Sequence, residues 1–275
     1  MRVTMYSDPG NPQVPNEDWA CTTAGLMVVL DGATVRTETG CRHGVPWFTR
    51  HLGAAIMGGA SDCSRELPDV LSDAIQDVAE QHPECDLDHP GTPSAAVAVV
   101  RKSGSTLEYL GLGDVTVVLD RHESGLHVVE DDRVSKTAID ARSRADEYAI
   151  GSPEKAAALL QMKHGELAAR NQPGGYWIAA SNPAAAAHAL TGTEDFASIN
   201  RVALLSDGAA RAVAFGLMDW TKALDVVAQQ GPAALIRIVR EAEASDPLGE
   251  RWHRNKRRDD ATVAYGEPAE EVGTG

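Results

Sequence analysis

The sequence contains no hydrophobic run long enough to cross a membrane. Its longest apolar stretches, such as residues 26–30 and 95–100, are of strand length, whereas a bilayer span takes about 20 residues. The N-terminus, Met1-Arg2-Val3-Thr4-Met5-Tyr6-Ser7-Asp8, lacks the apolar stretch of a secretory signal, so the cytoplasm is the expected compartment. Positive charge is also scarce. Lys and Arg number 25 against 40 Asp and Glu, a formal net charge of −15, which repels nucleic acid and anionic lipid and suits a protein that binds metal cations. No nucleic-acid or membrane partner is expected. The four cysteines, Cys21, Cys41, Cys63 and Cys85, show no C-x-x-C spacing, and the histidines, among them His43, His51, His82 and His89, show no metal-type pairing. Reduced, structural thiols are expected, with neither a zinc knuckle nor a thioredoxin-like motif. Internal repeats and low-complexity linkers are missing too, apart from an alanine-rich stretch at 183–189 and a Gly/Glu/Pro-rich tail.

What is present is enough apolar material for one sizeable core, since 43% of the 275 residues are hydrophobic. A single domain over residues 1–266 is expected, followed by a frayed tail at 267–275. Strand-length runs recur at 26–30, 95–100, 107–112, 115–119, 126–129, 176–180, 202–205 and 261–265. Two helical patterns lie between the first two. In the clearer one, Leu67, Val70, Leu71, Ala74, Ile75 and Val78 share one face. Another helix follows the seventh run, with Leu235, Ile236, Val239 and Ala242 on one face and Pro232 in a first-turn position. Strands near both ends with helix pairs between them predict an α+β fold in which helices cover antiparallel sheets. The polar, helix-prone stretch 135–171 reads as a mobile excursion.

The acids fall at the ends of the apolar strands. Residues 26–30 run into Asp31-Gly32, residues 202–206 run into Asp207-Gly208, Asp259-Asp260 precedes residues 261–265, and Gly113-Asp114 separates two further strands. Carboxylates pinned to neighbouring strand ends can converge with little conformational freedom, as a hard divalent ion with oxygen ligands requires. Taken singly, each Asp-Gly reads first as a turn dipeptide.

In order and spacing these blocks resemble the type 2C (PPM) family of metal-dependent Ser/Thr phosphatases, in its bacterial branch. Asn16-Glu17-Asp18, Leu30-Asp31-Gly32, Thr92-Pro93-Ser94-Ala95-Ala96, Gly111-Leu112-Gly113-Asp114, Leu205-Ser206-Asp207-Gly208 and Asp259-Asp260-Ala261-Thr262-Val263 are each similar to a family motif. The resemblance implies a four-layer α-β-β-α sandwich, two central antiparallel sheets flanked by helix pairs. It also implies two Mn²⁺ or Mg²⁺ ions, with Asp31 bridging both, the Gly32 carbonyl on the second, and Asp207 and Asp259 completing the first. Glu17 and Asp18 would hold metal-bound waters in the outer shell, and Asp114 with Asp207 would match a third, weaker metal position. The catalytic set so implied is Asp31, Asp207 and Asp259, acting through a metal-activated water on a phosphate monoester.

Two departures concern the substrate side. The place three residues before Asn16-Glu17-Asp18, where bacterial relatives carry a phosphate-gripping Arg, is Gln13, and the Gly-rich turn after Asp31-Gly32 is replaced by a longer polar segment ending near Gly44. Arg36, Arg42 and His43 in that segment are the candidate replacements for binding substrate phosphate. A basic cluster, Arg251, His253, Arg254, Lys256, Arg257 and Arg258, precedes Asp259 and reads either as a solvated face or as a rim that steers anions inward. A phosphorylated protein is the first-choice substrate. A small phosphorylated metabolite, or a catalytically silent module that keeps the fold and binds a partner, are the alternatives. The family's flap would fall within 134–175.

Overall fold

Most of the continuous apolar runs become strands buried on both faces. The computed structural model describes residues 1–269. Through these the chain runs β1 (Arg2–Asp8), β2 (Trp19–Thr22), β3 (Leu26–Gly32), α1 (Val45–Ala60), α2 (Leu67–Glu80), β4 (Ala95–Ser103), β5 (Thr106–Leu112), β6 (Thr116–Arg121), β7 (Gly125–Glu130), α3 (Ile139–Asp146), α4 (Pro153–Ala169), β8 (Leu190–Asp195), β9 (Ile199–Leu205), α5 (Asp207–Ala214), α6 (Trp220–Gln230), α7 (Pro232–Ser245) and β10 (Ala261–Glu267). The strands form two five-stranded sheets, ordered β1-β10-β9-β6-β7 and β2-β3-β4-β5-β8, and every pairing is antiparallel.

Because side chains alternate along a strand, each inner strand feeds two cores. In β3, Leu26, Val28 and Leu30 pack under α1 and α2 with Leu52, Ile56, Leu71 and Ile75, while Met27 and Val29 face the other sheet. In β9, Ala203 and Leu205 pack under α5, α6 and α7 with Leu224, Leu235 and Val239, while Val202 and Leu204 join the layer between the sheets. Three apolar layers therefore hold four structural layers together, each fully buried aliphatic contributing roughly 1.5–3 kcal/mol. The architecture is the expected α-β-β-α sandwich, with the short α5 added to the α6–α7 pair.

Prolines set the helix starts: Pro lies in the first turn of α1, α2, α4 and α7, where its missing N–H costs nothing. The Asp219 side chain accepts from the Lys222 backbone N–H at 2.8 Å and caps α6.

Several expectations need correcting. Residues 176–180 form no ladder strand: they make isolated bridges, Ala95 with Ala179 and Arg170 with Tyr176. Strands β1, β2 and β8 lie outside the strand-length runs the sequence predicts. The stretch 135–171 is ordered into α3 and α4, packed on each other through Ala145, Ala158, Leu159 and Met162. Glu267, placed in the tail, is the last residue of β10 and pairs with Arg2, and residues 270–275 lie outside the described residues. No helix among the described residues is long and apolar enough to cross a membrane.

Candidate active site

The strand ends that carry acids meet at one edge of the sandwich. Asp31 is the penultimate residue of β3, opposite Ala96 of β4. Leu205 ends β9 in the other sheet, Ser206 is the N-cap residue of α5, its hydroxyl accepting from the Thr262 N–H, and Asp207 is the first residue of that helix. The Asp207 backbone N–H donates to Asp31 Oδ2 at 3.0 Å, joining the two sheets at this point. Neither Asp-Gly pair is a hairpin turn. One closes a strand and the other opens a helix, and glycine is required because an added Cβ would overlap the Glu17 carbonyl at position 32 and the Asp260 carbonyl at position 208. Asp114 follows β5 and Asp259 precedes β10. With Asp31, Gly32 and Asp207 they line one open cavity of about 580 Å³, together with Thr34, Arg36, Lys163, Glu166, Arg211 and Lys256.

The electrostatics of this cavity are those of an under-compensated acidic cluster. Burial, then the charges of Asp207, Asp18, Asp114 and Asp259, pushes the Asp31 carboxyl well above its ordinary range. Burial and the Asp259 charge raise Asp207 as well, against the pull of Arg211. Asp114 is raised by burial, with Glu166 and Asp259 adding to it. Asp114 and Asp207 remain accessible to solvent through the cavity mouth. Asp31, Asp114 and Asp207 form no ion pair among the described residues. An all-oxygen donor set short of counter-charge fits hard divalent cations.

Asp259 differs. Its Oδ2 accepts from Arg211 at 2.7 Å, and its Oδ1 pairs with the Lys256 ammonium. Arg211 is further held by Glu243 at 2.6 Å, and Glu243 by Arg240 at 2.9 Å. Lys256 also donates to Thr34 Oγ1 at 2.8 Å, and the Thr34 hydroxyl donates to Glu17 Oε2 at 2.8 Å. Glu17 and Asp18 thus stand outside the cavity lining, one behind Thr34, the other accepting from Thr262 Oγ1 at 2.7 Å. Burial pushes Asp18 up to about 8, against the Thr262 and Ser206 hydrogen bonds.

Of the substrate-side candidates, Arg36 lines the cavity and makes no ion pair or hydrogen bond among the described residues. Burial lowers its pKa, against the pull of Asp259, Glu166 and Glu17. Arg42 and His43 are elsewhere: Arg42 pairs with Glu84 at the surface, and His43 lies between Cys85 and Trp47. Gln13 is exposed in a turn, its N–H bound to Asn11. The basic cluster is divided. The Arg254 guanidinium is buried against Asp246, Lys256 serves Asp259, His253 reaches the cavity, and Arg257 and Arg258 are exposed. Sequence reasoning missed Arg211 and the α3–α4 contribution of Arg142, Lys163 and Glu166. The spacing Asp207-x-x-x-Arg211, one helical turn, was the available signal for the first. The histidines His43 and His82, which show no metal-type pairing in the sequence, lie in the fold beside Cys41 and Cys85, and all four cysteines are free.

The family model for protein phosphatase 2C matches residues 14–243. No curated protein matches the chain by sequence. Among solved structures, the chain is similar to the Mycobacterium tuberculosis serine/threonine phosphatase PstP/Ppp, at 14% identity over 97% of both chains with a TM-score of 0.56. It is similar to the PPM Ser-Thr phosphatase MsPP of Mycobacterium smegmatis in complex with cacodylate, at 15% identity over 98% of this chain and 99% of that one, TM-score 0.56. The catalytic domain of PstP in complex with two manganese ions matches at 15% identity over 97% of both chains, TM-score 0.54. At these identities the structures speak for the fold, and the family model for the lineage. With the motif order, the sandwich and the acidic cavity all in agreement, the chain belongs to the protein phosphatase 2C family and is a metal-dependent phosphate-monoester hydrolase.

Proposed function

We propose that the chain removes phosphate from phosphoserine or phosphothreonine in proteins, using Mn²⁺ or Mg²⁺ held by Asp31, Asp207 and Asp259 within one domain that runs to the end of β10 at Glu267. The observation that carries this reading is that Asp31, Asp114 and Asp207 share one open cavity without an ion pair among the described residues. A silent scaffold has no use for mutually repelling carboxylates. Asp31 would bridge two ions, the Gly32 carbonyl would serve the second, and Asp114 with Asp207 would offer a third, weaker position. Glu17 and Asp18 would act from outside through water. When bound, the ions supply an activated water and offset charge on the phosphoryl oxygens.

The chain's own residues do the rest. Arg36, unpaired among the described residues at the cavity wall, binds the substrate phosphate in place of the arginine that Gln13 replaces. Arg211 fixes Asp259 in orientation, and Thr34 links Glu17 to Lys256. The names of the similar structures and the open cavity support a protein substrate over a small metabolite.

The test is a panel of phosphopeptides against sugar and nucleotide phosphates, with Mn²⁺, Mg²⁺ or chelator. The expected result is preference for phosphopeptides, loss of turnover with chelator and in Asp207→Ala, and a kcat/KM lower by about 10–100-fold in Arg36→Ala, the range for a charge-assisted contact. Preference for small phosphates would transfer the assignment to a metabolite phosphatase. Absence of turnover with every ion would leave the binding module.

A further inference from the structure

We propose that Cys41, His43, His82 and Cys85 form a structural zinc site, separate from the acidic cavity, that clamps the loop at 33–44 to the end of α2. The four ligand atoms lie within 4.8 Å of one another, and among the described residues this is the one such group of His, Cys, Asp and Glu donors. Cys41 Sγ is 3.4 Å from His82 Nδ1, 3.7 Å from His43 Nδ1 and 3.6 Å from Cys85 Sγ, and Cys85 Sγ is 3.6 Å from His43 Nδ1. A tetrahedral zinc with Zn–S near 2.3 Å and Zn–N near 2.0–2.1 Å requires ligand-to-ligand edges of roughly 3.4–3.8 Å. Four of the six edges match that tetrahedron, and the other two, from His82 to His43 and to Cys85, lie within 4.8 Å. The sulfur separation is far beyond the roughly 2.05 Å of a disulfide.

The surroundings are built to hold this arrangement. The ligands come in two arms, Cys41-x-His43 on the loop and His82-x-x-Cys85 after α2. Outside the ligands the arms are joined twice: the Asp86 N–H donates to the Gly40 carbonyl at 2.9 Å, and Arg42, between the first pair, forms an ion pair with Glu84, between the second. His43 stacks on Trp47 at 4.4 Å and His82 meets the same ring edge-on at 4.5 Å, so both imidazoles are fixed in orientation. The His43 backbone N–H points to Cys41 Sγ at 3.4 Å, a contact that favours a thiolate. His82 is buried.

Two thiolates and two imidazoles select zinc over Mn²⁺ or Mg²⁺, which prefer oxygen, so the two kinds of ion have separate addresses in one chain. With four protein ligands the site is closed and keeps no place for a substrate. Its role is positional. The connection between β3 and α1 has no helix or strand of its own, yet it brings Thr34 and Arg36 to the cavity wall. Zinc binding, with release of the two thiol protons, gives that connection a fixed anchor.

The site is tested on the whole protein, purified under reducing conditions and loaded with Co²⁺ in place of zinc. A sulfur-to-cobalt charge-transfer band in the near ultraviolet with intense tetrahedral visible bands is expected, one equivalent per chain, displaced by Zn²⁺. Oxygen ligands at the acidic cavity give no such band. Cys41→Ser and Cys85→Ser are each expected to lose most of the band and to bind Zn²⁺ at least tenfold more weakly. If those variants fail to fold, the wild-type spectrum still decides. Absence of the charge-transfer band in wild-type protein with its thiols reduced, or an equal band in both serine variants, overturns the proposal.

Discussion

Among Asp31, Asp114, Asp207 and Asp259, only Asp259 is paired with cations among the described residues, and its two cations are not equivalent. Arg211 is fixed by Glu243 as well as by Asp259, whereas the Lys256 side chain is one-third exposed and carried on a flexible stem. Burial works to lower the Lys256 ammonium pKa. The charges of Asp259, Asp207 and Asp31 outweigh burial and leave it raised. A divalent ion arriving at Asp259 therefore displaces Lys256, or is repelled by it. At water-like screening, a divalent ion about 5 Å from one positive charge is opposed by roughly 1–2 kcal/mol. Lys256→Met is expected to lower the Mn²⁺ concentration for half-maximal activity by about tenfold, measured by metal titration of turnover. A weaker metal requirement in wild type than in the variant would mean that Lys256 organises Asp259 and does not compete for it.

At the scale of elements, Asp260 ties the connection between β1 and β2 to the start of β10. Its two oxygens accept the Gly10 N–H at 2.7 Å and the Glu17 N–H at 2.6 Å, placing Glu17 next to Thr34. Asp260→Ala removes two charge-assisted hydrogen bonds and is expected to cost about 2–4 kcal/mol in denaturant unfolding, with Asp260→Asn costing less. A loss under about 0.5 kcal/mol would show that the connection is held by other contacts. The elements also show which parts of the fold the sequence discloses. Inner strands such as β3, β4 and β9 are buried on both faces and announce themselves as unbroken apolar runs. The three overlooked strands, β1, β2 and β8, are all sheet edges. Arg2-Val3-Thr4-Met5-Tyr6-Ser7-Asp8 has four exposed residues and no side-chain period, because its stability comes from pairing with β10. Residues 176–180 mislead in the opposite sense: Tyr176 and Ile178 are apolar because they line the cavity floor. The acids at strand ends were legible because chain position fixes their direction. Arg211 and the Cys41, His43, His82 and Cys85 group were not, since the zinc arms lie 39 to 44 residues apart and meet only through packing.

For the whole molecule, the acidic cluster couples stability to pH and to metal. Burial pushes Asp18 up to about 8 and Asp207 up to about 7, with repulsion from neighbouring carboxylates adding to both, and Asp31 moves in the same direction. In the metal-free protein these groups hold protons more tightly than in the unfolded chain. The stability they contribute is complete below about pH 4 and is lost as pH rises through about 7 to 8. Lys155 and Lys163, lowered by burial, oppose this trend from its alkaline side, and two further opposing groups act only in acid. Asp246 is held at about 2 against the desolvation that would raise it, by the Trp252 N–H and Arg254, and so matters only in acid. His82, lowered by burial and by His43 and His51, resists charging only below about pH 6.5. Lowering the pH from about 8.5 to 6.5 is therefore expected to raise the Tm of metal-free protein. Excess Mn²⁺ should flatten or reverse the trend, since the ion replaces the proton at the same oxygens. A metal-free Tm that is flat or falls over this range would contradict the cluster's electrostatics.

The sandwich brings acids from both sheets to one edge, and the account stands on their sharing cations there. Anomalous diffraction from a Mn²⁺-soaked crystal tests this most directly. It should show at least two peaks in the cavity among Asp31, Asp207 and Asp259, with those peaks lost in Asp31→Asn. Peaks only elsewhere, or an empty cavity at saturating Mn²⁺, would contradict it.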